Sequence, residues 1–446
     1  MRILPIEPDF SNGFTEENDI FQRKSLFLQI KDVLLTSSDE SLVLALDDNW
    51  GNGKTAFVKM MEGEIANSAD DEINVIYFDA FKNDYQTDPL LAMIASVYEM
   101  IDINSFDDDL KSKFVKASKA VVKSILKQSP KAIASILTAN TLKDSILDDA
   151  SGAISTAISD PLDHYIESKI TSYKKELDEI QNFKSILKRI HSESQKKTLF
   201  IVDELDRAKP DFSLDLLEKI KHLFDVDGFC FLLVLNKDQF IKSIQSRYGK
   251  INASLYLNKF VHYWFTLPKV NLESGSDINY AIRYSTIGHY IKSIDNRNVF
   301  YSCGRVYVTL VKLLCDNNCS LREAQRCYSV ISLIKNSEQI KFYVNEVYFS
   351  ALALVAYLKV INPELLNSIV NKKISIIEAK RALNLTEHDA DADETSYYLS
   401  RLLQYHFLRT NENAKDMEYA EIEDVYGRKA LIFESIIKHV ENMEIR

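Results

Sequence analysis

The sequence predicts an α/β fold: a parallel sheet covered on both faces by helices, interrupted by a helical insert and followed by a helical C-terminal part. Four near-continuous apolar runs read as buried strands and alternate with stretches of helical periodicity: 42–46, 73–81, 197–205 and 229–236. The first run leads through a glycine-containing loop, "DDNWGNGKT", directly into a helical pattern. The whole chain of 446 residues holds 11 Gly and 8 Pro, a composition that suits long helices with few turns.

Taken in order, "TEENDIFQRKSLFLQIKDVLL" offers Thr15 and Asn18 as caps. Phe21, Leu26, Leu28, Ile30, Val33 and Leu34 follow near helical spacing, so a helix precedes the first strand. "TAFVKMMEGEI" continues the glycine loop as a helix, and another helix runs from Pro89 to Ile101 after the second strand. Residues 102–195 carry no strong strand and are rich in Ala, Ser, Lys and Ile. "SLDLLEKIKHLFDV" is a helix between the third and fourth strands, and from 277 onward the pattern is almost wholly helical. The expected organisation is 1–101 and 196–276 as two parts of one sheet core, 102–195 as a helical insert, and 277–446 as a helical lid and C-terminal region.

A content of 46% hydrophobic and 11% aromatic residues fits a well-packed globular protein. The net charge of −11 argues against a surface built wholly to neutralise nucleic-acid phosphates, while leaving room for a local basic stripe. The cysteines at 230, 303, 315, 319 and 327 form no CxxC pair and read as reduced and mostly buried; Cys315 and Cys319 lack a second pair that would make a metal site. "MRILPIEPDFSNGF" is not a secretion signal, and no run of about 18 residues stays apolar and uncharged. A cytoplasmic protein without a membrane span is expected.

The chemistry is concentrated in three places. A phosphate-binding loop needs glycines that let backbone N–H groups turn inward, a Lys for the β/γ-phosphates and a hydroxyl for Mg²⁺. Gly51, Gly53, Lys54 and Thr55 supply these, with Trp50, Asn52 and Ala56 completing the nucleotide-binding stretch. Asp48 stands where the GxxxxGK[ST] pattern has its first glycine. "TLFIVDELDR" then places Asp203, a Mg²⁺ acid, at a strand end, followed by Glu204, which can polarise an attacking water. Asn236 closes the next strand, where a polar side chain can reach the γ-phosphate or the water. "NKDQ" has Gln239 where a guanine reader has Asp, so ATP rather than GTP is expected.

These features describe a P-loop NTPase of the additional-strand, catalytic-Glu type. Arg207 could reach a neighbouring subunit's γ-phosphate in a homo-oligomer, or pair with Asp206 or Asp211. Arg322 and Arg326, four apart on one helical face, are lid candidates for a phosphate contact, with ordinary surface ion pairs as the alternative. Asp79 and Asp84 could support the site from the adjacent strand end; Trp50 and Phe81 are expected in the core.

The chain resembles the KAP family of P-loop NTPases over about 18–370. "NDIFQRKSLF" is similar to the family's lead helix, "NWGNGKTAF" to its loop, "YFDAFKNDYQTDPLLA" to its second-strand motif, and "DELDRAKPDFSLDLLEKIKHLFDVDGFCFLLV" to its acid-strand block. "YLNKFVHYWFTLP" and "SLREAQRCYSVI" resemble the later blocks. The resemblance implies that Lys54, Thr55 and Asp203 bind ATP and Mg²⁺ and that Glu204 activates water. More loosely, it implies a bacterial anti-phage or mobile-element system in which a separate effector protein is the partner. Two rivals stay open: an ATP-binding scaffold with little turnover, for which Asp48 is the clue, and a DNA-associated motor.

Many family members carry transmembrane helices in the insert. Here 111–127 reads as an amphipathic helix, with Phe114, Ala117, Val121 and Ile125 on one stripe and Lys116, Lys119, Lys123 and Lys127 on another. The favoured reading is a helix packed on its own domain with a solvated lysine face; a membrane surface or nucleic acid is the alternative.

Overall fold

The computed structural model describes residues 8–37, 41–68, 72–86, 88–104, 106–126, 161–269, 285–295, 300, 304–335, 346–385, 393–408 and 432–440. Five strands form one parallel sheet: β1 (Leu42–Asp47), β2 (Ile73–Asp79), β3 (Lys197–Asp203), β4 (Phe229–Leu235) and β5 (Tyr263–Thr266). Their spatial order is β2-β3-β4-β1-β5. Every residue of β3 and β4 is buried, which is why both read as unbroken apolar runs: each pairs on both edges and is covered on both faces. The edge strand β5 has four residues, of which Tyr263 and Thr266 are exposed. It escaped the sequence reading because so short and half-exposed a strand has no continuous apolar run.

The second apolar run is divided. β2 stops at Asp79, whose carboxylate accepts the Lys82 N–H and starts the short helix α3 (Ala80–Asn83). That turn carries Phe81 out of the sheet, and instead of lying in the core its side chain is 50% exposed.

One face of the sheet is covered by α1 (Lys24–Thr36) and α2 (Lys54–Ala66), which share a core with Leu44, Leu46, Leu199 and Leu232. α1 begins later than Thr15 or Asn18 suggested. Asp19 is what receives its first N–H groups, accepting from Arg23 at 2.7 Å and Lys24 at 2.9 Å, and Leu28 falls on the exposed side. The other face carries α4 (Pro89–Ile103), α5 (Asp108–Leu126), α6 (Pro161–Ser194), α7 (Pro210–Leu223) and α8 (Lys237–Tyr248), with α9 (Ala253–Leu257) leading to β5.

A row of rings ties the insert to this face. Phe114 of α5 lies 6.0 Å from Phe183 of α6, Phe183 5.6 Å from Phe224, Phe224 6.3 Å from Phe231 of β4, and Phe231 5.5 Å from Phe200 of β3. Phe114, Ala117 and Val121 are buried while Lys116, Lys119 and Lys123 are exposed. The apolar stripe of α5 is thus covered by the chain itself and is not offered to a bilayer; Lys127 lies outside the described residues. Among the described residues no helix is long and apolar enough to cross a membrane.

The C-terminal helices are α10 (Thr286–Ile294), α11 (Gly304–Asp316), α12 (Leu321–Lys335), α13 (Glu346–Ile361), α14 (Pro363–Val370), α15 (Ile376–Ala382), α16 (Glu394–Leu408) and α17 (Ile432–Ile437). They gather around α13, which is buried from Val347 through Leu358 apart from Phe349, and form a core separate from those of the sheet.

Truncating Phe183 breaks the ring row at its middle. Phe183→Ala is expected to lower unfolding free energy by about 3–5 kcal/mol in denaturant titration. Lys116→Ala or Lys119→Ala on the exposed side should change it by less than about 0.5 kcal/mol.

Candidate active site

The loop between β1 and α2 is shaped by two glycines in the left-handed region, Gly51 at φ 83° and Gly53 at φ 88°. Gly51 is also a point of close approach: a Cβ there would meet Arg322 Cβ at 2.9 Å and Ser320 Oγ at 3.0 Å, so the start of α12 rests on the loop. Gly53 caps α2, whose first residue is Lys54. The positive end of that helix therefore opens into the loop.

Across the sheet edge, β3 delivers Asp203, which is 1% exposed. One carboxylate oxygen accepts the Tyr77 hydroxyl at 2.9 Å and the other the Glu204 N–H at 2.8 Å. Glu204 itself sits at φ 56°, a conformation that costs a non-glycine residue about 1–3 kcal/mol and that recurs at functional sites. Its Oε1 receives the Arg207 guanidinium, so Arg207 pairs with Glu204 rather than with Asp206 or Asp211. Asp206 instead accepts the Trp50 indole N–H. Trp50, expected in the core, is 43% exposed because the loop holds it at the mouth of the site.

Together these residues line a cleft of about 170 Å³. The loop contributes Trp50, Gly51, Gly53, Lys54 and Thr55; the end of β3 contributes Asp203, Glu204, Asp206 and Arg207; β4 adds Val234. Tyr290 of α10 and Arg322 and Gln325 of α12 close it from the C-terminal helices, with the Tyr290 hydroxyl donating to Gln325 Oε1 at 3.1 Å. Of the two candidate arginines on α12, Arg322 lines the cleft and Arg326 does not. Asn52, Ala56 and Asn236 are also outside the lining. Asn236 caps α8 by accepting the Gln239 N–H at 3.0 Å, and its Nδ2 donates to Asn49 Oδ1 at 3.3 Å. Asp79 lies beside Asp203 in the β2–β3 register, whereas Asp84 binds Lys209.

The charges are partly desolvated. Burial raises Asp203 from its ordinary value, against the pull of the Tyr77 and Thr55 hydroxyls. Burial also raises Glu204, with Arg207 opposing and Asp203 reinforcing the shift. Lys54 is lowered by burial against the attraction of Asp206, Asp48, Asp47 and Asp203. Its ammonium donates to the carbonyls of Asp48 and Asn49, folded back onto the loop.

A metal would find oxygen donors alone here, the Thr55 hydroxyl and the Asp203 carboxylate. No group of three or more His, Cys, Asp or Glu side chains among the described residues could hold a metal by itself. One carboxylate and one hydroxyl, completed by phosphate oxygens and water, is the donor set Mg²⁺ favours. Burial raises the thiols of Cys315 and Cys319, Cys319 to about 12.

Sequence reasoning missed Tyr77, Arg23, Tyr290 and Gln325, and it offered Asp206 as a partner of Arg207 where the structure gives it to Trp50. A Tyr in a mostly apolar strand was a legible signal, since its hydroxyl, carried into a partly buried place, needs a partner. The others carry no local signature, because they reach the cleft or its loop through the fold.

A model of the KAP family P-loop domain matches residues 23–348, well over half of the chain. The chain belongs to the KAP family of P-loop NTPases. Comparison with curated proteins found no match. Among solved structures, the Aeropyrum pernix ORC2 protein in its ADPNP–ADP complexes is 12% identical, with a TM-score of 0.34 and coverage of 94% of this chain and 84% of that one. The KAP match spans both the loop and the Asp203 strand, so the residues drawn together by the sheet are those of one family domain.

In this KAP chain the raised acid at 203 has a signed consequence for stability. A carboxyl raised on folding imposes no penalty below its unfolded pKa and an increasing one as pH rises through its folded pKa. Asp203→Asn should therefore raise the melting temperature of the nucleotide-free protein at pH 7, the Tyr77 hydroxyl turning to accept from the new amide. The gain should shrink as pH falls toward about 3.9, the unfolded value. Thermal unfolding across pH measures it.

Proposed function

We propose that this chain hydrolyses ATP with Mg²⁺ at the cleft between the β1–α2 loop and the end of β3, with α10–α12 acting as a lid. The observation that carries the reading is the consecutive pair Asp203 and Glu204 facing the glycine loop, each held by its own partners. The position of β4, between the loop strand and the acid strand, supports the additional-strand type.

In this reading the loop N–H groups and Lys54 bind the β- and γ-phosphates, and Thr55 and Asp203 would hold Mg²⁺. When bound, the ion supplies positive charge at the β/γ-phosphate oxygens. Glu204 accepts a proton from the attacking water, and Arg322 meets the phosphates from the lid side. The arrangement described above is a resting one. Lys54 is spent on loop carbonyls and Glu204 on Arg207, so nucleotide entry exchanges both sets of contacts. Such an exchange, shared with α12 through Gly51, would couple the nucleotide to the lid.

The same ion pair favours a second reading, an ATP-binding switch with little turnover, because Arg207 holds the group that must receive the proton. The finer biological role, an ATPase subunit of a bacterial defence or mobile-element system acting on a separate effector, rests on the family resemblance.

Steady-state phosphate release separates the readings. Hydrolysis predicts Mg²⁺-dependent turnover that falls by about 10²–10⁴-fold in Glu204→Gln and is likewise lost in Lys54→Ala. Tight ATP binding with no wild-type release would sink hydrolysis and leave the switch.

A further inference from the structure

Asp48 stands where the loop pattern calls for glycine, and a carboxylate beside a triphosphate should repel it. Its surroundings explain why it is tolerated. Oδ1 accepts the Asn49 N–H at 2.6 Å and the Asn52 side-chain amide at 2.5 Å. Asn52 is held from its other side as well, by Arg23, whose Nη1 donates to the Asn52 carbonyl at 3.0 Å. Arg23 comes from the turn before α1, is 3% exposed, and lies 4.4 Å over the Phe21 ring. Its guanidinium also backs Gly53, where an added Cβ would sit 3.1 Å from Nη1.

Burying a guanidinium is unfavourable without an anion to balance it. Burial pushes Arg23 down to about 10, and the charges that oppose this are Asp48 and Asp19. Asp19 is already engaged by the N–H groups of Arg23 and Lys24. Asp48 has two cations near it, Arg23 and Lys54, and the second is the one a phosphate would draw away.

We infer that Arg23, Asn52 and Asp48 form a brace that presets the phosphate loop, with Arg23 as a positioning residue and Asp48 as its counter-charge in place of the missing glycine. The inference rests on the nucleotide reading above and deepens it. Once Lys54 leaves the Asp48 carbonyl for a phosphate, Arg23 is the cation left to offset the Asp48 carboxylate. The brace thus matters more in the nucleotide-bound state than in the free one, and its loss appears in affinity.

The test is a double-mutant cycle on the full chain, with ATP and Mg²⁺ titrated by calorimetry. Arg23→Met and Asp48→Gly should each weaken binding roughly tenfold, and the double variant should recover most of that loss, a non-additivity expected of neighbours in one network. KM should follow the affinities while kcat changes by less than about threefold, since neither side chain lines the cleft beside Glu204. Where Arg23→Met does not fold, as judged by circular dichroism, Arg23→Gln with Asp48→Asn makes the same cycle with neutral polar side chains. Additive losses, or tighter binding in Asp48→Gly alone, would overturn the brace. Absence of ATP binding by the wild type would instead remove the nucleotide reading and the brace together.

Discussion

The site depends on one constraint of the sheet. β1 and β3 run parallel with β4 between them, in a register that pairs Leu46 with Val234 and Val202 with Leu233. Strands lie about 4.8 Å apart, so the loop leaving β1 and the acids ending β3 come to one edge roughly 10 Å apart, although about 150 positions separate them in the chain. Parallel direction places both C-terminal ends on the same side, where α2 also begins. If either strand were reversed or shifted by one residue, Asp203 would leave the cleft or turn to the opposite face. The complete burial of β3 and β4 is what makes such slips costly, because each side chain already fills a place between helices.

Around that edge the chain packs more charge than an apolar cleft could tolerate unpaired. Asp203, Glu204 and Asp206 face Lys54 and Arg207, while Asp48 and Arg23 balance each other behind the loop. Three of these groups are held by partners within the cleft: loop carbonyls for Lys54, Arg207 for Glu204, the Tyr77 hydroxyl for Asp203. The charges are thus held in a poorly solvated place where they act strongly. The C-terminal helices take part directly, because α12 touches the loop at Gly51 and brings Arg322 with it.

Much of this was legible in the sequence. The central strands were readable because burial on two faces imposes apolar residue types, and the glycine loop because its turn needs residues at positive φ; Lys54, Thr55, Asp203 and Glu204, read as one group, line one cleft. Less legible were features set by neighbours. β5 lacked a continuous run, Phe81 followed a cap that ended its strand early, and Trp50 looked like core until Asp206 supplied a partner at the mouth of the cleft. Asn236 ends β4 as the sequence suggested, and its side chain caps the following helix through Gln239 and donates to Asn49 of the loop. Arg23 gave no local signal, since its function depends on Asp48, a residue that by itself looked like a defect.

The most direct test of the central claim is calorimetric titration of ATP into the full chain with and without Mg²⁺, for the wild type and Asp203→Asn. The account predicts one ATP bound per chain, tightened by Mg²⁺ in the wild type, with that Mg²⁺ effect lost in the variant. No ATP binding, or an Mg²⁺ effect unchanged by removing the Asp203 carboxylate, would contradict it.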